Sequence, residues 1–146
     1  MNSTLETVWI IDDDEIYKYG FRKFVSMKKL CGNVIDFSNG KEAIEFLANP
    51  LNIEHLPDVI FLDIDMPQMD GWDFIEAFKC IKIHLSRKIS IFMVTSSISY
   101  KDIVRAKNQT DITEYIVKPV NSQQFSFIFT DVLNRQIDAF KHTIQN

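Results

Sequence analysis

Acids, hydroxyls and one ammonium follow short apolar runs at four places in this chain. Val8-Trp9-Ile10-Ile11 runs into Asp12-Asp13-Asp14 and Glu15. Val59-Ile60-Phe61-Leu62 runs into Asp63, with Asp65 two residues on. Ile91 to Val94 precedes Thr95-Ser96-Ser97, and Tyr115-Ile116-Val117 precedes Lys118-Pro119. Each piece alone has an ordinary structural explanation. Asp14 and Glu15 suit a helix N-terminus, Thr95 and the serines suit a loop capping the next helix, and Lys-Pro is common in turns. Gathered in one place, they describe a reaction site. Carboxylates crowded together repel unless a cation sits among them. Hard oxygen donors suit Mg²⁺, which takes one or two carboxylates, keeps waters and accepts phosphate oxygens. An ammonium and a hydroxyl opposite the metal match the remaining oxygens of a phosphoryl group. The residues therefore predict a Mg²⁺-dependent phosphoryl site with a carboxylate placed as nucleophile.

What could gather them is a parallel sheet. Thr7–Ile11, Asn33–Phe37, Asp58–Leu62, Ser90–Val94 and Glu114–Val117 read as strands, and their near-continuous apolar runs predict burial on both faces. Helical patterns separate them: Ile16–Leu30, Lys41–Ala48, a stretch from Gly71 through Phe78, and a weakly amphipathic one at Tyr100–Lys107. A last helix carries Phe125, Ile128, Phe129, Val132, Leu133, Ile137, Phe140 and Ile144 at the spacing of one buried stripe, with Asn121 or Ser122 as its cap. Asn49–Pro57 reads as the one long loop. Successive βα units imply a doubly wound α/β fold, because right-handed crossovers put helices on both faces. Ligands of such sheets bind beyond the carboxyl ends of the strands, where the four polar groups fall.

Composition removes other classes. The 146 residues fit one domain, and 16 basic against 20 acidic residues give a net charge of −4, which argues against general nucleic-acid binding. Hydrophobic residues make up 46%, enough for a core and too many for a disordered chain. No apolar run approaches the roughly 18 residues a membrane span needs. The N-terminal MNSTLETVW shows no export signal, so no membrane contact and a cytoplasmic location are expected. Cys31 and Cys80 sit in no metal-ligand frame and read as buried free thiols rather than a disulfide. His55, His84 and His142 are scattered and read as surface residues.

The stretch Pro57-Asp58-Val59-Ile60-Phe61-Leu62-Asp63-Ile64-Asp65-Met66-Pro67-Gln68-Met69-Asp70-Gly71 resembles the phosphoacceptor segment of bacterial response-regulator receiver domains. With IIDDDE, FMVTSS and EYIVKP, the resemblance covers about Val8 to Val120, and the final helix completes the fifth βα unit. It implies a flavodoxin-like (βα)5 domain with a five-stranded parallel sheet in the order 2-1-3-4-5, filling residues 1–146 with its core at 7–144. Asp63 would be the phosphorylated aspartate. Asp13, aided by Asp12, would hold Mg²⁺ with the Asp63 carboxylate and the backbone carbonyl of Asp65. Lys118 would pair with Asp63 at rest and with a phosphoryl oxygen after transfer, and its bond to Pro119 would be cis. Thr95 would bind the phosphoryl group and move toward it. Tyr115 stands where the family has its switch aromatic, although an ordinary strand aromatic would look the same in sequence.

The resemblance further implies a sensor histidine kinase or histidine phosphotransfer protein as donor. Output would go to another protein through the face of the fourth helix, fifth strand and fifth helix, with room for a weak homodimer. Candidates on that face are Tyr100, Ile103, Arg105, Lys107, Ile112, Tyr115 and Phe127; Phe127 reads equally as core edge. Only one helix follows Val120, which predicts a stand-alone receiver or one excised from a longer protein, in either case a phosphoacceptor rather than an enzyme with turnover. Asp65 and Ser97 lie where side chains touch the approach of water, and are expected to set the lifetime of the aspartyl phosphate. The rival reading is a haloacid-dehalogenase-like phosphatase, whose DxD motif Asp63-Ile64-Asp65 would mimic. That family carries DxD on its first strand and an acidic pair after the lysine. Here the acidic run comes first, and only Asp131 and Asp138 follow Lys118.

Overall fold

A computed structural model describes residues 4–145. Five parallel strands form one sheet: β1 (Leu5–Ile11), β2 (Cys31–Phe37), β3 (Val59–Leu62), β4 (Ser90–Thr95) and β5 (Ile112–Val117), in the order β2-β1-β3-β4-β5. The helices between them are α1 (Glu15–Lys28), α2 (Gly40–Ala48), α3 (Gly71–Ile81) and α4 (Tyr100–Lys107), and α5 (Ser122–Gln145) closes the fold. The doubly wound sheet and its order are those the sequence implied. Two apolar layers cover its faces. Trp9, Ile11, Leu62, Phe74 and Met93 pack on one side with α2, α3 and α4. Val8, Ile10, Phe61, Phe92, Phe125 and Phe129 pack on the other with α1 and α5. At about 25 cal/mol per Å² of apolar surface buried, these layers supply the main drive for folding.

Polar residues set the boundaries. Asp14 caps α1, its carboxylate accepting the N–H groups of Ile16 and Tyr17. Asp70 and Asp73 form a reciprocal capping box at the start of α3. Asn121 and Gln124 exchange side-chain bonds with each other's N–H at the start of α5, which settles its cap on Asn121. Among the described residues no helix is long and apolar enough to cross a membrane.

Several expectations need correction. The strands β2 and β5 are not buried like the central three, because each is a sheet edge with one side open. The buried stripe of α5 stops short: Phe140 and Ile144 are exposed, since the helix runs on past the end of the sheet that covers Phe125 to Val132. Cys80 is exposed and Cys31 only partly buried; Cys80 lies on the outer side of α3, where its thiol donates to the Glu76 carbonyl. Asn49–Pro57 is not a bare loop but holds a short 3-10 turn, Pro50–His55, started by the Asn49 side chain.

Candidate phosphoacceptor site

Backbone hydrogen bonds lock the carboxyl ends of the strands together. Asp12 N–H donates to the Phe37 carbonyl at 3.0 Å, Asp63 N–H to Ile11 at 2.9 Å, and Lys118 N–H to Thr95 at 2.9 Å. Each functional side chain thus leaves a rigid sheet end rather than a free loop. Gly71 tightens the arrangement from below. Its N–H bonds the Ile64 carbonyl at 2.8 Å, and a Cβ there would stand 2.5 Å from the Asp63 carbonyl oxygen. Only glycine fits this approach. The Lys118–Pro119 bond is cis, as the resemblance implied.

Carboxylate oxygens of Asp12, Asp13 and Asp63 lie within 4.8 Å of one another, with Asp12 and Asp63 buried and Asp13 exposed. Asp63 Oδ1 accepts the Ile64 N–H at 2.8 Å. Burial, and next the Asp12 charge, push the Asp63 carboxyl up to about 6, against the opposing pull of Lys118, Thr95 and the Ile64 amide. One ammonium does not neutralise three acids. Hard oxygens, excess negative charge and one exposed acid on the open side are what a divalent cation would need. The residues present therefore fit Mg²⁺.

Lys118 reaches Asp63, as the resemblance implied, but lies closer to Asp12. Its Nζ is 2.7 Å from Asp12 Oδ2 and 4.0 Å from Asp63 Oδ2, so the tight pair at rest is with Asp12. Asp12 is the more buried acid and lies across the sheet end from β5, where a fully desolvated carboxylate attracts the ammonium most strongly. Thr95 is fully buried at the end of β4 beside Asp63. Asp65 is exposed in the following loop, and its side chain is not part of the acid cluster.

Beyond Thr95 runs a network that reading the sequence missed. Ser97 N–H donates to Thr95 Oγ1 at 3.3 Å, and Ser97 Oγ donates to Asp102 at 2.7 Å. Asp102, on α4, also accepts the indole N–H of Trp72 at 3.0 Å, and the Arg105 guanidinium lies over that indole at 4.4 Å. Tyr115 donates its hydroxyl to the Ser97 carbonyl at 2.9 Å. The chain from Thr95 to α4 and β5 thus runs through a single serine. Capping chemistry could have flagged Asp102, in the first turn of α4, but nothing local pairs it with Trp72. Tyr17, in the first turn of α1, also reaches the site: Lys118 Nζ lies 4.0 Å from the centre of its ring.

Residues 8–128 match the response regulator receiver domain family. The chain belongs to that family. It is 32% identical over 130 residues to the sensor histidine kinase CheAY of Helicobacter pylori, covering 89% of this chain and 15% of that protein. It is 32% identical over 105 residues to the nitrate/nitrite response regulator protein NarL of Escherichia coli, covering 72% of this chain and 44% of that one. This receiver therefore spans less than half the length of either curated relative. A two-component response regulator structure from Cytophaga hutchinsonii superposes with a TM-score of 0.79 at 25% identity, covering 90% of this chain and 98% of that one. A CheY-like receiver domain from Methanospirillum hungatei shares the fold, with a TM-score of 0.75 at 21% identity over 93% of this chain and 99% of that one. The family match does not favour the phosphatase alternative, and neither does the topology: Asp63-Ile64-Asp65 follows the third strand in sequence, not the first.

Proposed function

We propose that Asp63 accepts a phosphoryl group from a phosphohistidine on a histidine kinase or phosphotransfer protein. The observation that carries this reading is the state of Asp63: a buried carboxylate at a strand end, under-neutralised, with an ammonium, a hydroxyl and two further acids around it. In the transfer, a carboxylate oxygen of Asp63 attacks phosphorus in line as the P–N bond breaks. The imidazole leaves with the bonding pair and is protonated, and the product is an acyl phosphate. Asp12, Asp13, Asp63 and the Asp65 carbonyl would hold Mg²⁺, which supplies charge neutralisation to the phosphoryl oxygens when bound. Lys118 would move from Asp12 to a phosphoryl oxygen, and Thr95 would donate its hydroxyl to another. Positioning and electrostatics are the whole of the protein's contribution.

An aspartyl phosphate carries about −1.5 to −2 charges where the carboxylate carried one, so a net of about −0.5 to −1 is added beside Thr95. Pulling the Thr95 hydroxyl onto that group breaks its bond with the Ser97 N–H, and Ser97 in turn holds Asp102 and Tyr115. Reshaping of the face of α4, β5 and α5 follows, and a partner protein reads it there. Tyr100 and Phe127 are exposed on these elements, Ile103, Lys107 and Ile112 line a groove with Tyr115, and Arg105 lies over the Trp72 ring. The chain would work as a receiver in a phosphorelay, without turning over a free substrate. Asp65 and Ser97, near the path of water, would tune how long the phosphate lasts, so Asp65→Asn should change the dephosphorylation rate; an unchanged rate would remove Asp65 from that role. The main test is phosphoryl incorporation from a small acyl phosphate, with and without Mg²⁺. Stoichiometric Mg²⁺-dependent labelling is expected, whereas repeated turnover of phosphate esters would favour a phosphatase.

A further inference from the structure

Three groups surround the ammonium of Lys118. Asp12 Oδ2 meets it at 2.7 Å, Asp63 Oδ2 faces it at 4.0 Å, and the face of the Tyr17 ring lies 4.0 Å from it. The ring is fixed by the same aspartate run that supplies the acids. Asp14 caps α1 by accepting the Tyr17 N–H at 3.1 Å, so Tyr17 leaves the first turn of the helix at a set angle. Its hydroxyl is sealed from solvent and has no hydrogen-bond partner among the described residues. Burial, and then the charges of Asp12 and Asp63, push the phenol well above its usual range, so the ring stays neutral beside the cation.

We propose that Tyr17 is a positioning residue for Lys118. Its ring holds the ammonium inside the site while the lysine exchanges Asp12 for an oxygen of a phosphoryl group on Asp63. This rests on Asp63 being the phosphoacceptor. The physical reason is the contrast between the partners. A carboxylate at 2.7 Å binds an ammonium tightly and directionally, whereas an aromatic face attracts it more weakly and over a range of positions. The ring thus lets Nζ travel between two carboxylates without passing through water. Lys118 is only 17% exposed, and the ring over its Nζ is part of what keeps it so. The hydroxyl takes no part, because it is buried without a partner; replacing it by hydrogen removes an unmet polar group rather than a bond.

Two measurements on the full chain test this. The first is the rate of Mg²⁺-dependent phosphoryl incorporation from a small acyl phosphate, in the wild type, Tyr17→Phe, Tyr17→Leu and Asp63→Asn. The second is acylation of lysines by a water-soluble amine reagent, mapped by peptide mass, with the buried Lys18 as an internal control for folding. Tyr17→Leu is expected to slow incorporation by about tenfold, the upper part of the range for a partly desolvated cation–π contact. It should also raise acylation of Lys118 severalfold and leave Lys18 protected. Tyr17→Phe should match the wild type within about twofold in both measurements, since the ring remains. Wild-type rates in Tyr17→Leu would overturn the proposal. So would Lys118 and Lys18 becoming reactive together, which would mark a general loosening of the fold. If the wild type and Asp63→Asn label alike, the phosphoacceptor reading itself falls, and the role of the ring in transfer with it. The acylation contrast would then still report whether Tyr17 shields Lys118.

Discussion

Asp58 and Asp63 stand at opposite ends of β3, both buried, yet they are treated in opposite ways. Asp58 is fully met. Its Oδ2 accepts the N–H groups of Glu6 and Thr7 at 2.9 and 3.2 Å, and its Oδ1 accepts from Arg87 at 3.0 Å and Gln136 at 2.9 Å. Asp63 has one close amide donor, an ammonium 4.0 Å away and a second carboxylate beside it. Asp58 ties β1, β3 and α5 together at the amino end of the sheet. Asp63, at the carboxyl end, is held in place by backbone bonds but left short of positive charge. The comparison teaches that burial alone does not mark a functional acid. What marks it is burial without compensation, because the missing charge has to come from something that binds.

The largest effect that would break this comparison concerns phosphoryl labelling. Asp63→Asn should abolish it, while Asp58→Asn should retain it at temperatures where the variant is folded; labelling that depends on Asp58 would reverse the assignment. Next in size is stability. Asp58→Ala leaves two backbone N–H groups and the Gln136 amide without this acceptor and takes the nearest carboxylate from Arg87, and should cost about 3 kcal/mol or more in chemical denaturation. Asp63→Asn should do the opposite in the absence of metal. The Asp63 carboxyl is raised in the folded state from 3.8 to about 6, so folding favours its neutral form. The penalty is absent below about pH 4, grows as pH rises through 6 and is constant above it. The variant should therefore be more stable than the wild type by about 2 kcal/mol at neutral pH, with the difference vanishing in acid.

Mg²⁺ should sharpen the same contrast. Millimolar Mg²⁺ is expected to raise the unfolding midpoint of the wild type by filling the deficit at Asp12, Asp13 and Asp63. It should do much less for Asp63→Asn, and thermal melts with and without the ion read this directly. The smallest effect belongs to Gln136→Leu, which removes one of four donors to Asp58 and should cost about 1 kcal/mol without altering labelling.

Much of this was legible in sequence because it depends on local pattern. Alternating apolar runs and helical stripes gave the βα succession, and the polar residue after each run falls at the carboxyl end of its strand whatever the side chains do next. The fates of β2 and β5 were not legible, since edge position depends on strand order rather than on the composition of a strand. Phe140 and Ile144 keep the helical spacing of the stripe, and spacing alone does not tell how far along α5 the burial extends. At the site, residue types could be read but pairings could not. That Lys118 rests on Asp12, that Tyr17 turns its ring to it, and that Ser97 links Thr95 to Asp102 and Tyr115 are all set by where separate elements meet.

The central claim is that Asp63, alone among the clustered acids, takes the phosphoryl group. Its most direct test is to phosphorylate the wild type with Mg²⁺ and a small acyl phosphate, then reduce with borohydride, which converts an aspartyl phosphate to homoserine, and map the product by peptide sequencing. The account predicts homoserine at position 63 and aspartate at 12, 13, 58 and 65. Homoserine at any of those other positions, or none at 63 under conditions that label the protein, would contradict it.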